Sequence, residues 1–265
     1  METNSVAIIG CGNIGLSILQ GILKEKTIPS KNIYVTRRNI QALSYLEAEG
    51  IKVTSDNIRA TKESKRIIIA VKPYNFVNIL EEIKGYLDPK MHILISITAG
   101  VTISQIEDVL QIKIPVFRVM PNISASVGKS VSCICHNGAE TNETDSVKQI
   151  FDIIGTTMTI EEELMESATI LGACGVAYVL RFIRAMIQGG IQIGFDAKTA
   201  STIVNQTVKG AAELLIERHQ HPEFEIDKVT TPKGCTIVGL NEMEHNGFSS
   251  SLIKGIVASY EQIEK

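Results

Sequence analysis

Residues 10–15, Gly-Cys-Gly-Asn-Ile-Gly, decide the fold of the N-terminal half of the chain. The three glycines have G-x-G-x-x-G spacing, and they follow an apolar strand pattern over 5–9 and precede a helical pattern over 13–25. In that context the spacing predicts a turn that binds the pyrophosphate of a dinucleotide. Gly10 permits the tight turn, Gly12 lets the phosphates approach a helix N-terminus, and Gly15 lets the helix pack closely on the strand. A glycine-rich turn without a ligand is the alternative.

Short β-branched runs alternate with helical patterns after this turn. We predict strands over 32–36, 66–71, 92–97 and 116–120, and helices over 40–49, 74–86 and 103–110. The alternation predicts an α/β fold, a Rossmann-type doubly wound domain in which helices cover both faces of a parallel sheet. An edge strand over 129–136, a helix over 142–154 and a strand over 158–160 would close this dinucleotide-binding domain at residue 162.

The second part of the chain, residues 163–265, has a different character. Helical patterns dominate it, over 164–193, 197–219, 234–246 and 249–264. Their wide apolar faces predict an all-α domain that buries part of its surface against a second copy of the chain. The most apolar stretch, 168–193, is interrupted by Arg181 and Arg184, which favours a buried helix over a membrane span.

Composition narrows the class of protein. The 265 residues carry a net charge of −3 with 44% hydrophobic residues, so we expect a soluble protein without a nucleic-acid or membrane surface. Five cysteines without framework spacing predict free thiols in the cytoplasm, and we expect no N-terminal signal segment. The run Cys133–His136 resembles half of a metal site, but strand alternation explains it better, so we predict no metal.

The end of the second predicted strand indicates which dinucleotide binds. An acidic residue there would bind the ribose of NAD, but this chain has Thr36, Arg37 and Arg38. A hydroxyl and two guanidinium groups suit a 2′-phosphate, which favours NADPH. NADH remains an alternative, as does a reading in which both arginines are solvated surface charges.

Further segments occur in the order seen in one known family. They are Asp56-Asn57, Ala70-Val71-Lys72-Pro73, Ser96–Val101, Arg118–Asn122, Ala177-Tyr178, the region 206–210 and, most specifically, Val229–Thr236. Taken together the chain resembles the pyrroline-5-carboxylate reductase family over nearly its whole length. The resemblance implies reduction of Δ1-pyrroline-5-carboxylate to proline, a helical C-terminal domain, and a homodimer woven through those helices that can assemble further.

The glycine turn and the resemblance together define the predicted cofactor site. Its residues are Gly10, Gly12, Asn13, Ile14, Gly15, Thr36, Arg37, Arg38, Asn57, Ala70, Val71, Lys72, Pro73, Ala99 and Gly100. For Lys72, the alternative to a contact with the cofactor is a position on the protein surface.

The resemblance places the substrate at the loop 231–236, whose backbone N–H groups and following helix can hold a carboxylate. It implies that Thr236 is the catalytic residue, with its hydroxyl hydrogen-bonded to the ring nitrogen, although a helix-cap hydroxyl is the alternative. The implied substrate contacts are Glu162, Cys174, Thr231, Gly234, Cys235 and Thr236.

Several positions depart from the family pattern. Cys174 stands where the family usually has serine, Val176 where it has proline, and Lys233 where it commonly has glycine. Cys235 replaces a small residue and Glu225 an apolar one. Because these positions surround the implied substrate, the alternatives are a different cyclic imino acid or a weakly active paralogue that binds dinucleotide in a regulatory role.

Two other classes of function compete with this reading. A β-hydroxyacid dehydrogenase shares the two-domain plan but relies on a catalytic lysine in its long helix, and residues 161–193 contain no lysine. A catalytically silent dinucleotide sensor or assembly protein rests only on the altered segment 174–176.

Overall fold

The computed structural model describes residues 4–263, which form two compact units, 4–174 and 175–263. The domain boundary expected from the sequence, after residue 162, stays a prediction.

The first unit is built on one eight-stranded sheet. Its strands are β1 (Val6–Ile9), β2 (Ile33–Thr36), β3 (Lys52–Thr54), β4 (Arg66–Ile69), β5 (Ile93–Ser96), β6 (Val116–Met120), β7 (Ser130–His136) and β8 (Gly155–Thr159). Their spatial order is β3-β2-β1-β4-β5-β6-β7-β8, and every neighbouring pair is parallel except β6 and β7. The strands follow one another outward on both sides of the adjacent pair β1 and β4, with β2 and β3 on one side and β5 to β8 on the other, so the predicted doubly wound fold is confirmed.

Helices cover both faces of this sheet. They are α1 (Asn13–Glu25), α2 (Asn57–Lys62), α3 (Pro73–Ile83), α4 (Ile103–Leu110), α5 (Thr141–Asp152) and α6 (Met165–Ala168), with a long 3-10 helix at Ile40–Glu49. Local signals explain their starts. Pro73 is the first residue of α3, and Thr102 forms a capping box with Gln105 before α4.

The core lies in two layers, one on each side of the sheet. Successive residues of β1 divide between them: Ile8 packs in the layer with Phe117 and Phe151, whereas Ile9 packs in the layer with Phe76. This is the two-residue alternation of a strand whose faces are both buried, which is why the sequence of these strands is continuously apolar.

The predicted edge strand over 129–136 is wrong in its position. Ser130–His136 lies inside the sheet, antiparallel to β6 and parallel to β8. The alternation in its sequence does not separate a solvent-exposed face from a buried one, because Ile134 is buried on one face of the strand and Cys133 and Cys135 are buried on the other. Burial raises the pKa of Cys135 to about 11, which favours the protonated thiol at neutral pH.

The second unit is entirely helical among its described residues. Its helices are α7 (Gly175–Gln192), α8 (Ala197–Arg218), α9 (Pro222–Lys228), α10 (Cys235–His245) and α11 (Phe248–Ile263). The Tyr178 hydroxyl, on α7, donates a hydrogen bond to Ser259 on α11 at 2.7 Å, and Phe182 packs against Phe248.

Few apolar side chains of this unit are buried within one chain. Among its described residues only Ala200 and Val204 are buried apolar side chains, whereas Ile193 is 80% exposed. The sequence predicted a buried helix over 168–193, and for a single chain this is wrong after residue 170, because the other described helices cover only part of its surface. The helical stretch Glu162–Gln192 has the length and mean hydropathy, 1.7, of a membrane span, but one such helix is weak evidence.

Candidate active site

A cavity of about 840 Å³ lies beyond the carboxyl ends of β1, β2, β4, β5 and β6 in the first unit. This is where ligands of doubly wound sheets bind. All the predicted cofactor residues line it except Gly15 and Gly100. The structure therefore brings these residues together, and their contact with a cofactor stays a prediction.

The three glycines of the turn have the distinct environments that a phosphate-binding turn requires. Gly10 has φ +86°, and a Cβ there would lie 2.4 Å from Val71 Cγ1. A Cβ on Gly15 would lie 3.1 Å from Ile8 Cγ2, which explains how α1 packs closely on β1. A Cβ on Gly12 would meet nothing nearer than the Gly10 carbonyl oxygen at 3.9 Å, so its open side faces the cavity that Gly12 lines.

The N-terminus of α1 is free to receive an anion. Its cap residue, Gly12, provides no side-chain hydrogen bond, and its first turn contains no acidic residue. The first N–H groups and the helix dipole therefore present positive partial charge to the cavity.

A chain of hydrogen bonds supports the glycine turn from the second strand. The Gly10 N–H donates to the Thr36 hydroxyl oxygen at 3.2 Å, and the Thr36 hydroxyl donates to Asn57 Oδ1 at 2.6 Å. The Asn57 amide nitrogen donates in turn to Glu82 Oε2 at 3.0 Å. Since its one proton is already used, Thr36 orients neighbouring groups rather than donating to a ligand phosphate.

Two exposed cations lie beside this chain of bonds. Arg37 and Arg38 line the cavity together with Asn57, and neither forms an ion pair with a carboxylate in the part of the chain that the structure describes. Arg37 also lies close enough to the Cys11 thiol to lower its pKa slightly, although burial dominates and raises that pKa to about 11. The guanidinium groups are thus available for an anionic ligand.

A π-helix, Thr169–Cys174, forms part of the wall of the cavity, with Thr169 and Ala173 among the lining residues. Asn122, after β6, also lines the cavity and donates its side-chain N–H to the Gly172 carbonyl at 2.9 Å. Short π-helical segments are frequent at functional sites. Sequence reasoning did not assign Asn122, Thr169 or Ala173 to the site, although the position of Asn122 at the carboxyl end of a strand was a usable signal.

Glu162 does not line this cavity. Its Oε1 accepts hydrogen bonds from Arg118 at 2.9 Å and from the Ile103 backbone N–H at 2.7 Å. Arg118, which is 3% exposed, also donates to Glu166 at 2.8 Å. The carboxylate expected at the substrate is therefore engaged in a buried ion-pair cluster that fixes the helical stretch 162–168 to β6 and α4.

The predicted substrate loop lies in the other compact unit and leads into α10. Gly234 is the cap residue, and its N–H donates to the Thr231 carbonyl at 2.9 Å. A Cβ on Gly234 would lie 2.6 Å from Thr231 Oγ1, so the fold of the loop requires glycine there. Thr236 is the second residue of the helix, whose cap residue is Gly234, and its contact with the substrate stays a prediction.

The structure accounts for some departures from the family pattern. Lys233 has φ +62°, a left-handed conformation that explains why glycine suits this position. Glu225 pairs with Lys228 at 2.8 Å and with Arg218 at 3.1 Å, and the hydrogen bond from Lys228 is the main reason why its pKa lies below the usual value. Cys174 ends the π-helix, which forms although Val176 replaces the family's proline.

Two family models cover most of the chain. Residues 162–265 match the model for "Pyrroline-5-carboxylate reductase dimerisation", and residues 5–100 match that for "NADP oxidoreductase coenzyme F420-dependent". Pyrroline-5-carboxylate reductase 2 of Dictyostelium discoideum is 42% identical over 100% of this chain and 93% of its own length. The chain belongs to the pyrroline-5-carboxylate reductase family. It is an oxidoreductase, and the family inferred from the sequence motifs is confirmed.

Other members of this family give the same result. The enzyme of Methanosarcina acetivorans is 34% identical over 99% of this chain and 97% of its own length. Pyrroline-5-carboxylate reductase 1 of Dictyostelium discoideum is also 42% identical, but this chain spans only 48% of that longer protein. The structure of Plasmodium falciparum pyrroline carboxylate reductase with NADP bound superposes with a TM-score of 0.88 at 28% identity, covering 99% of this chain and 98% of the other.

Proposed function

We propose that this chain reduces 1-pyrroline-5-carboxylate to L-proline with NADPH. The main support is the N-terminus of α1, where the cap residue Gly12 leaves backbone N–H groups available to bind the phosphates of a dinucleotide. This terminus faces the cavity beyond the carboxyl ends of the strands. The names of the relatives agree with this reaction, and proline biosynthesis is the process in which it belongs.

The cofactor assignment rests on charge and on the relatives. NADP is bound in the Plasmodium falciparum structure, and the family model matched by residues 5–100 is an NADP oxidoreductase model. In this chain Arg37 and Arg38 provide for the 2′-phosphate two guanidinium groups that form no ion pair within residues 4–263, and residues 36–39 offer no carboxylate to the ribose of NADH. NADH serves as the poorer donor.

The chemistry requires orientation more than acid strength. When bound, the reduced nicotinamide supplies a hydride to C5 of the ring, and the imine nitrogen takes or keeps a proton, so that the C=N bond becomes C–N. The backbone N–H groups at the start of α10 would hold the substrate carboxylate. The Thr236 hydroxyl would hydrogen-bond the ring nitrogen, with Thr231, Gly234 and Cys235 around the ring.

Cys174, Val176 and Lys233 are the residues that would alter substrate choice. A thiol at 174 is a weaker donor than the usual hydroxyl, and Lys233 adds a positive charge to the loop. A cyclic imine of another ring size is therefore the second candidate substrate. The alternative to a catalytic function is that the chain is a weakly active paralogue that binds dinucleotide. Only these three substitutions support that alternative.

The working form that we propose is a cytoplasmic homodimer formed through the C-terminal helices, with capacity for higher assembly. The dimerisation model matches residues 162–265, which include the exposed apolar faces of α7 and α11. The five free cysteines suit a reducing compartment. We propose no nucleic-acid or membrane partner.

The test is cofactor oxidation by the purified protein with NADPH or NADH and cyclic imino acids of four-, five- and six-membered rings. We expect the five-membered substrate with NADPH to be the best pair. Thr236→Ala should lower kcat about 10²-fold, whereas Thr236→Ser, which keeps the hydroxyl, should retain most of the rate. Binding of NADPH without turnover of any imine would support the regulatory alternative, and an undiminished rate in Thr236→Ala would exclude that residue from catalysis.

A further inference from the structure

Glu82, on the exposed face of α3, is connected to the cofactor cavity although it does not line it. Its carboxylate accepts a hydrogen bond from the Asn57 side-chain amide at 3.0 Å, and Asn57 lines the cavity together with Arg37 and Arg38. An acid at the end of β2 is the usual device for recognising a ribose, and this chain lacks one there. Glu82 therefore brings a negative charge to the same region from a different element.

The Glu82 carboxylate fixes the orientation of the Asn57 amide. Its Oδ1 accepts the Thr36 hydroxyl proton at 2.6 Å, while its nitrogen donates to Glu82. Turning the amide by 180° would place its oxygen against Glu82 and break that bond, because a carboxylate cannot donate, whereas the Thr36 hydroxyl can donate or accept and would adapt. One amide hydrogen is thus committed to Glu82, and the second is left for a ligand.

We propose that Glu82 is a specificity-determining residue that limits the preference for NADPH over NADH. A 2′-phosphate bound beside Asn57 carries nearly two negative charges, and the Glu82 carboxylate held at the same amide repels it. NADH has a neutral hydroxyl at that position and experiences no such repulsion. This inference rests on the proposed function, since it concerns the cofactor of the same reaction.

Glu82→Gln isolates the effect of charge, because its amide oxygen can still accept the hydrogen bond from Asn57. Removing one charge near the phosphate should raise the NADPH-to-NADH ratio of kcat/KM on the order of five-fold at low ionic strength. The gain should shrink as salt is added, since Glu82 is exposed. Dissociation constants for both dinucleotides, measured by titration without the imino acid, should change in the same ratio.

Glu81→Gln is the matched control. Glu81 is the preceding residue of α3, is also exposed, and pairs with Lys84 at 2.5 Å rather than with Asn57. The same loss of charge there should leave the cofactor ratio within two-fold of the parent. A ratio unchanged in Glu82→Gln, or changed equally in both variants, would overturn the inference. Failure of the parent to bind either dinucleotide would instead overturn the proposed function.

Discussion

Replacing Arg118 by methionine should destabilise the first unit by about 3 kcal/mol. The guanidinium is 3% exposed and donates to two carboxylates, Glu162 at 2.9 Å and Glu166 at 2.8 Å. Methionine has a similar length and no charge, so the substitution leaves two partly buried carboxylates without their cation. Glu166 is the more affected, since its Oε2 is buried and already has no hydrogen-bond partner among the described residues.

The magnitude follows from the burial of the three groups. Removing one partner from a buried ion pair destabilises a protein by about 3–5 kcal/mol. The Glu162 and Glu166 side chains remain 31% and 22% exposed, so water can solvate them in part and the lower end applies. Glu162 also keeps the Ile103 N–H as a donor. Adding Glu162→Gln and Glu166→Gln to Arg118→Met removes the unpaired charges and should restore about 2 kcal/mol.

Reversible urea unfolding, followed by far-UV circular dichroism at one fixed protein concentration, measures these differences. Fixing the concentration matters because association stabilises the folded state by mass action. The reasoning is refuted if Arg118→Met unfolds within 1 kcal/mol of the parent, or if the triple variant is no more stable than the single one. The second result would mean that lost packing, not unpaired charge, destabilises the variant.

Three further outcomes are expected. Gly12→Ala should be as stable as the parent but bind NADPH at least about ten-fold more weakly in a titration, because its Cβ would point into the cavity. Gly10→Ala should lower the free energy of unfolding in urea by at least about 2 kcal/mol, because its Cβ would collide with Val71. Burial lowers the pKa of His92 below its ordinary 6.5, so near that pH the unfolded chain binds a proton that the folded chain does not. The free energy of unfolding should therefore fall as the pH drops below 6.5. His92→Gln should reduce this pH dependence when unfolding is measured from pH 7 to pH 5. Lys233→Gly should relieve the left-handed backbone and raise stability by about 0.5 kcal/mol while raising KM for the imino acid a few-fold; a lower stability, or an unchanged KM, would contradict it.

Local sequence determined much of the first unit and of its cofactor cavity. The bounds predicted for α1, α4 and β6 agree with the structure, because a glycine turn, a capping box and a continuous apolar run each act within a few residues. The spacing of Gly10, Gly12 and Gly15 indicated three different roles, and the Cβ distances at these positions agree with them. The position of Arg37 and Arg38 after β2 could likewise be predicted, since it follows from the strand pattern alone.

Short or marginal elements were not readable in this way. The strand Lys52–Thr54 has three residues and the helix Asn57–Lys62 has six, too few for periodicity to identify either. The segment 40–49 has a helical pattern, but the structure forms it as a 3-10 helix.

Only the tertiary structure decided which groups meet across the sheet. The position of β7 inside the sheet depends on β8, which arrives after an intervening helix and covers its other edge. The pairing of Glu162 with Arg118 joins residues 44 positions apart, and the bond from Asn57 to Glu82 joins residues 25 apart. Such contacts depend on strand order and helix placement, so no local pattern of residues encodes them. The glycine turn and the helix after it could therefore be predicted from the sequence. The pairing of Glu162 with Arg118 and of Glu82 with Asn57 was decided only by the tertiary structure.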